Sequence, residues 1–71
     1  MNKIPYQKSQ RYELPFGQHK GQTLYEVLVV NPTYLDHILN YNLDQYIEFK
    51  IAFESFMQEP MVQREIEKAI L

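Results

Sequence analysis

His19 and Lys20 lie between the two glycines of the chain, Gly17 and Gly21, and they are the residues whose type and spacing come nearest to chemistry. Glycine at both ends of a short segment allows positive φ, so a tight turn can present Gln18, His19 and Lys20 outward at a fixed angle. A cation and an imidazole held in this way suit a phosphate. The helix start expected just beyond, at Thr23 to Glu26, would add free backbone N–H groups to the same anion site. The loop is not a Walker loop, because that motif places its Lys directly after the second glycine and here Lys20 precedes Gly21. Upstream, Tyr6, Lys8, Arg11 and Tyr12 interleave aromatic and basic side chains. That alternation fits a nucleic-acid strand, whose bases stack on rings while its phosphates meet cations. The plainer alternative also stays open: a solvated hairpin turn, with Tyr6 and Tyr12 in the core and the cations serving solubility.

Nucleophilic and metal chemistry find little to use. Cysteine is absent, serine is limited to Ser9 and Ser55, and His19 and His37 are separated by a turn and a helix. Neither a Ser-His-acid set nor a zinc set can be assembled with any spacing signal. The expectation is a chain with no catalytic residues, no metal and no cofactor.

The charge is divided. Lys3, Lys8, Arg11 and Lys20 against Glu13 leave residues 1–23 at +3, whereas Lys50, Arg64 and Lys68 against eight carboxylates leave residues 24–71 at −5. A net charge of −2 argues against indiscriminate nucleic-acid binding, yet a dipolar molecule can still show a local basic face. With 71 residues, 45% of them hydrophobic and 14% aromatic, the chain can build one packed core without disulfide support. No apolar run is long enough for a membrane helix, and Met-Asn-Lys-Ile-Pro is not the start of a signal peptide, so a soluble, cytoplasmic protein is expected.

The elements that must position these residues follow from local patterns. Residues 1–10 have no periodicity and read as an N-terminal arm, ordered only if Ile4 and Tyr6 find a groove on the body. Tyr12, Leu14 and Phe16 alternate with Arg11, Glu13 and Pro15 as in a half-buried strand, and Gln22 and Thr23 can pair back to close a hairpin. Thr23 with Glu26 forms a capping box, which starts a helix at Leu24. Asn31 and Pro32 are cap and first residue of a second helix running to about Tyr41. Asp44 is a candidate cap for a third, strongly apolar helix, and Pro60 opens a fourth with its stripe at Val62, Ile66, Ala69 and Ile70.

One stretch also carries a family likeness. Pro15-Phe16-Gly17, Lys20-Gly21, Thr23-Leu24 and Asn31-Pro32-x-Tyr34-Leu35 resemble the motif of the exodeoxyribonuclease X-like C-terminal domain and of a related stand-alone family labelled quorum-sensing-regulated virulence factor. The likeness runs from roughly Tyr12 to Leu39, with Gln18, His19 and His37 standing where the family commonly has Lys, Tyr and Trp. It implies a small module of hairpin and helices that accompanies nucleic-acid enzymes, and it implies no chemistry of its own.

The fold expected is α+β, with a small N-terminal β-hairpin packed on three to four short helices: an arm at 1–10 and a single domain at 11–71. Two functions compete. The first is a non-catalytic nucleic-acid-associated module contacting single-stranded or duplex backbone through the basic arm and hairpin loop, at Lys8, Arg11, Gln18, His19 and Lys20. The second is a protein-interaction adaptor or small regulator that docks a partner, or a second copy in a homodimer, through Phe49, Phe53, Phe56 and Met57, and that needs an exposed apolar patch rimmed by acid. The two differ in their response to salt.

Overall fold

The computed structural model describes residues 4–70; the first three residues of the expected arm, Lys3 among them, and Leu71 lie outside that range. Five helices follow in chain order: α1 (Tyr6–Ser9), α2 (Leu24–Val30), α3 (Pro32–Ile38), α4 (Ile47–Met57) and α5 (Pro60–Ile70). The expected α+β hairpin fold is therefore corrected to an all-helical one, with no strand among the described residues. What remains of the hairpin is a single antiparallel bridge between Glu13 and Thr23.

The hydrogen bonds explain why the pairing stops there. Leu14 N–H donates to Gln22 O (2.9 Å) and Leu24 N–H to Tyr12 O (2.9 Å), which fixes the bridge. A growing ladder needs each flanking pair to return a second bond. Both return donors are diverted: Tyr12 N–H goes to Ser9 O (3.1 Å) at the end of α1, and Gln22 N–H goes to His19 O (3.0 Å) inside the loop. Pro15 has no N–H to offer further on.

The helix starts written in the sequence are largely realised. Thr23 Oγ1 accepts from Glu26 N–H and Glu26 Oε1 accepts from Thr23 N–H, so the capping box is complete. Pro32 opens α3 and Pro60 opens α5. Two expected caps are not used. Asn31 makes no side-chain cap to α3, and Asp44 does not start α4, because its N–H is taken by Asn42 Oδ1 (3.0 Å) and its carboxylate pairs with Lys50 (3.2 Å). α4 begins instead after Tyr46. α3 ends at Ile38, short of the expected Tyr41, as Leu39, Asn40 and Tyr41 tighten into i→i+3 bonds.

Within the segment expected as an arm, α1 packs on α4: the Tyr6 ring stacks on Phe56 at 5.5 Å, and Ser9 is fully buried with its hydroxyl donating to Tyr6 O. α3 packs on both α2 and α5, and α5 also meets α4. The core between them includes Leu14, Leu24, Val27, Leu35, Ile38, Phe49, Phe53, Phe56 and Val62. Each such side chain contributes about 1.5–3 kcal/mol on burial, which carries a fold with no disulfide. Phe49, Phe53 and Phe56, expected on a partner surface, are thus core residues, and of that set Met57 alone stays partly exposed.

Candidate nucleic-acid interface

The loop between Leu14 and Thr23 is held from within. Gly17 and Gly21 take φ of 80° and 91°, the left-handed region that glycine enters without a Cβ penalty. Lys20 N–H donates to Gly17 O (3.1 Å) and Gly21 N–H to Leu14 O (3.0 Å), which closes the turn. Phe16 leaves the loop to pack among Tyr41, Tyr46 and Phe49, with ring centres 5.1–6.0 Å away. The Tyr34 hydroxyl sits directly over Gly17, beside the Tyr41 side chain and the Gln18 backbone N–H.

His19 is the clasp of this loop. Its Nδ1 lies 2.6 Å from Gln22 Oε1 and its Nε2 lies 3.2 Å from Asn31 Nδ2, while the ring meets Tyr34 edge-on at 4.7 Å. A carboxamide oxygen only accepts, so Nδ1 carries the proton and Nε2 accepts from Asn31. Asn31, expected to cap α3, reaches back to the loop instead. Gln18 Nε2 adds a third contact, 3.3 Å from the same Nε2. His19 and Gln18, expected to reach outward, both have side-chain partners inside the chain.

The expected phosphate seat at the start of α2 is also corrected. Thr23 N–H goes to Glu26 Oε1, Leu24 N–H to Tyr12 O, Tyr25 N–H to Gln10 O (3.2 Å) and Glu26 N–H to Thr23 Oγ1. All the first-turn donors are occupied, and the Glu26 carboxylate sits where an anion would have to come.

Lys8, Arg11 and Lys20 remain exposed. Among the described residues the ion pairs are Lys50–Asp44 and Lys68–Glu65, and neither involves these three cations. Arg11 shares a shallow depression with Gln10, Thr23 and Tyr25. Tyr25 was missed in the sequence although a signal was there: once Leu24, Val27 and Leu28 face the core, the residue after Leu24 must point away, and its ring is 48% exposed. Tyr6 and Tyr12, by contrast, are not free stacking platforms. Tyr6 is stacked on Phe56, and the Tyr12 hydroxyl donates to Glu48 Oε2 at 2.8 Å. His37 lies on the exposed side of α3 between Tyr34 and Tyr41, and no three His, Asp or Glu side chains among the described residues converge as a metal site. No helix among them is long and apolar enough to cross a membrane.

Three phenols in this framework titrate above their usual 10.0. Burial, then the Glu59 carboxylate and Tyr25, raise Tyr6; the hydrogen bond to Glu48, then burial, raises Tyr12; burial, then the neighbouring Tyr41 side chain, raises Tyr34 against the opposing influence of the nearby Gln18 backbone amide. A group whose folded pKa exceeds its unfolded value lends stability that is complete below the unfolded value and is lost as pH climbs through the folded one. Urea midpoints should therefore carry this contribution undiminished below the usual phenol range and lose it as pH climbs above about 10. A midpoint that is flat or rising across that alkaline range would contradict the packing of these hydroxyls.

No curated protein and no solved structure matches the chain. A family model described as Exodeoxyribonuclease X-like C-terminal matches residues 14–42, somewhat less than half of the chain. The matched part begins at Leu14, covers the clasped loop, α2 and α3, and ends before α4. Over that stretch, Leu14 to Asn42, the protein resembles the exodeoxyribonuclease X-like C-terminal family.

Proposed function

We propose that this chain is a non-catalytic, nucleic-acid-associated module that holds a phosphate backbone on Lys8, Arg11 and Lys20, with the exposed Tyr25 ring beside Arg11 offering a face for a base. The observation that carries this reading is the family match, which falls on the loop presenting Lys20 and whose name is that of a nuclease's C-terminal domain. Three exposed cations that have no carboxylate partner among the described residues support it, since phosphate contacts need cations that are not already neutralised. The part played by His19 and Gln18 is to stiffen the loop, so that Lys20 is offered from a fixed backbone and little entropy is lost on contact.

The test is fluorescence anisotropy with labelled single-stranded and duplex DNA and RNA. With three phosphate contacts to a single strand, affinity should drop roughly 10–20-fold between about 50 mM and about 200 mM salt. Lys20→Ala and Lys8→Ala/Arg11→Ala should each weaken binding and flatten the salt dependence, and Tyr25→Ala should weaken single-strand binding with the salt slope unchanged. Absence of binding at the lower salt, or binding indifferent to all three cations, would overturn the proposal.

A further inference from the structure

Between α3, α4 and α5 the surface sinks into an open groove of about 470 Å³. Leu39, Met57 and Ile70 line it, and Leu39 and Ile70 are 59% and 57% exposed, large apolar side chains left in water at the end of one helix and in the last turn of another. Asp36, Glu54 and Glu67 stand in the same lining, and none of them belongs to the ion pairs found among the described residues. The groove lies within the −5 part of the chain and contains none of Lys8, Arg11 and Lys20.

We infer that this groove docks a short amphipathic helix of a protein partner, with apolar residues at i, i+3 or i+4 and i+7 and with Lys or Arg along the flanks. A channel between packed helices takes a helix laid along it, the partner's apolar stripe covering Leu39, Met57 and Ile70. The charge selects the occupant. Three carboxylates with no cation partner among the described residues repel phosphate, so neither nucleic acid nor an anionic lipid surface fits, and two copies meeting groove to groove would bring both acidic rims together. Flanking cations on the partner complete both rows at once. This surface differs from the one proposed for nucleic acid in residues and in sign, so the two proposals stand or fall separately.

The probe is a labelled helical peptide with Leu at the stripe positions and Lys on its flanks, set against the same peptide with Glu in place of Lys. The full chain should bind the Lys peptide and not the Glu peptide. Glu54→Lys/Glu67→Lys and, separately, Leu39→Ser/Ile70→Ser should each weaken binding tenfold or more. All four positions are exposed, and circular dichroism melting checks that both variants remain folded. Loss of binding in the charge-reversal variant alone, with Leu39→Ser/Ile70→Ser binding as wild type, would reduce the effect to general attraction and overturn the groove. Equal binding of the two peptides, no binding, or self-association that Leu39→Ser/Ile70→Ser abolishes would overturn it as well.

Discussion

A Gly17→Ala variant should lose about 2–4 kcal/mol of stability, while Gly21→Ala in the same loop should lose about 1 kcal/mol. Both glycines have positive φ, so both substitutions meet the backbone penalty of the left-handed region, roughly 1–2 kcal/mol. They differ in what a methyl group would touch. At Gly21 nothing lies within 4 Å of the new Cβ, whereas at Gly17 the Cβ would run into the Tyr34 hydroxyl. Tyr34 cannot swing away freely, because its ring is buried in α3 and packed against His19. Accommodation would have to move the ring or the loop, and either movement disturbs the His19 clasp and the presentation of Lys20. Urea denaturation of the two variants side by side reads the difference, and equal losses would show that the Tyr34 contact carries no weight in the fold.

Phe56→Ala should cost about 3–5 kcal/mol, a large share of the roughly 4–11 kcal/mol available to a domain of this size. Phe56 is fully buried, and its ring is the platform on which Tyr6 stacks. Removing it opens a cavity under α4 and takes away the contact that seats α1, the helix that carries Lys8. Met57→Ala, one residue on, should cost about 1 kcal/mol, because Met57 is partly exposed and lines the groove. Thermal melting gives the comparison, with about 4–8 °C expected per kcal/mol. Similar melting temperatures for the two variants would mean that Phe56 is not the core residue described.

The features that were legible in the sequence are those decided by neighbouring residues. Thr23 and Glu26 satisfy each other across three positions, Pro32 and Pro60 suit the first turn of a helix, and Gly17 and Gly21 mark positive φ. The features that were not legible depend on partners far along the chain. Alternation at Tyr12, Leu14 and Phe16 correctly placed Leu14 in the core, yet whether a strand forms was decided by where Tyr12 and Gln22 send their N–H groups. α1 is a single turn, too short for periodicity to register, and it exists because Tyr6 has Phe56 to lie on and Ser9 fits where it is buried.

The candidate site divides in the same way. The exposed cations Lys8, Arg11 and Lys20 could be named from sequence because charged side chains stay in water. His19 could not be read as a clasp, since its partners Gln22 and Asn31 come together only after α2 has formed and turned the chain. An acid-rimmed apolar patch is expected at Phe49, Phe53, Phe56 and Met57, and of these Met57 is the partly exposed one that lines the groove. The aromatic stripe Phe49, Phe53 and Phe56 faces inward, and the exposed apolar residues of the groove are Leu39, where α3 has already ended, and Ile70, in the last turn of α5.

The measurement that bears most directly on the central claim is an amide chemical-shift titration of the ¹⁵N-labelled chain with a short single-stranded oligonucleotide at low salt. Shifts should concentrate at Lys8, Arg11, Lys20 and Tyr25, with Leu39, Met57 and Ile70 unmoved and the whole response suppressed by added salt. Shifts centred on the acidic groove, or no shifts at all, would contradict it.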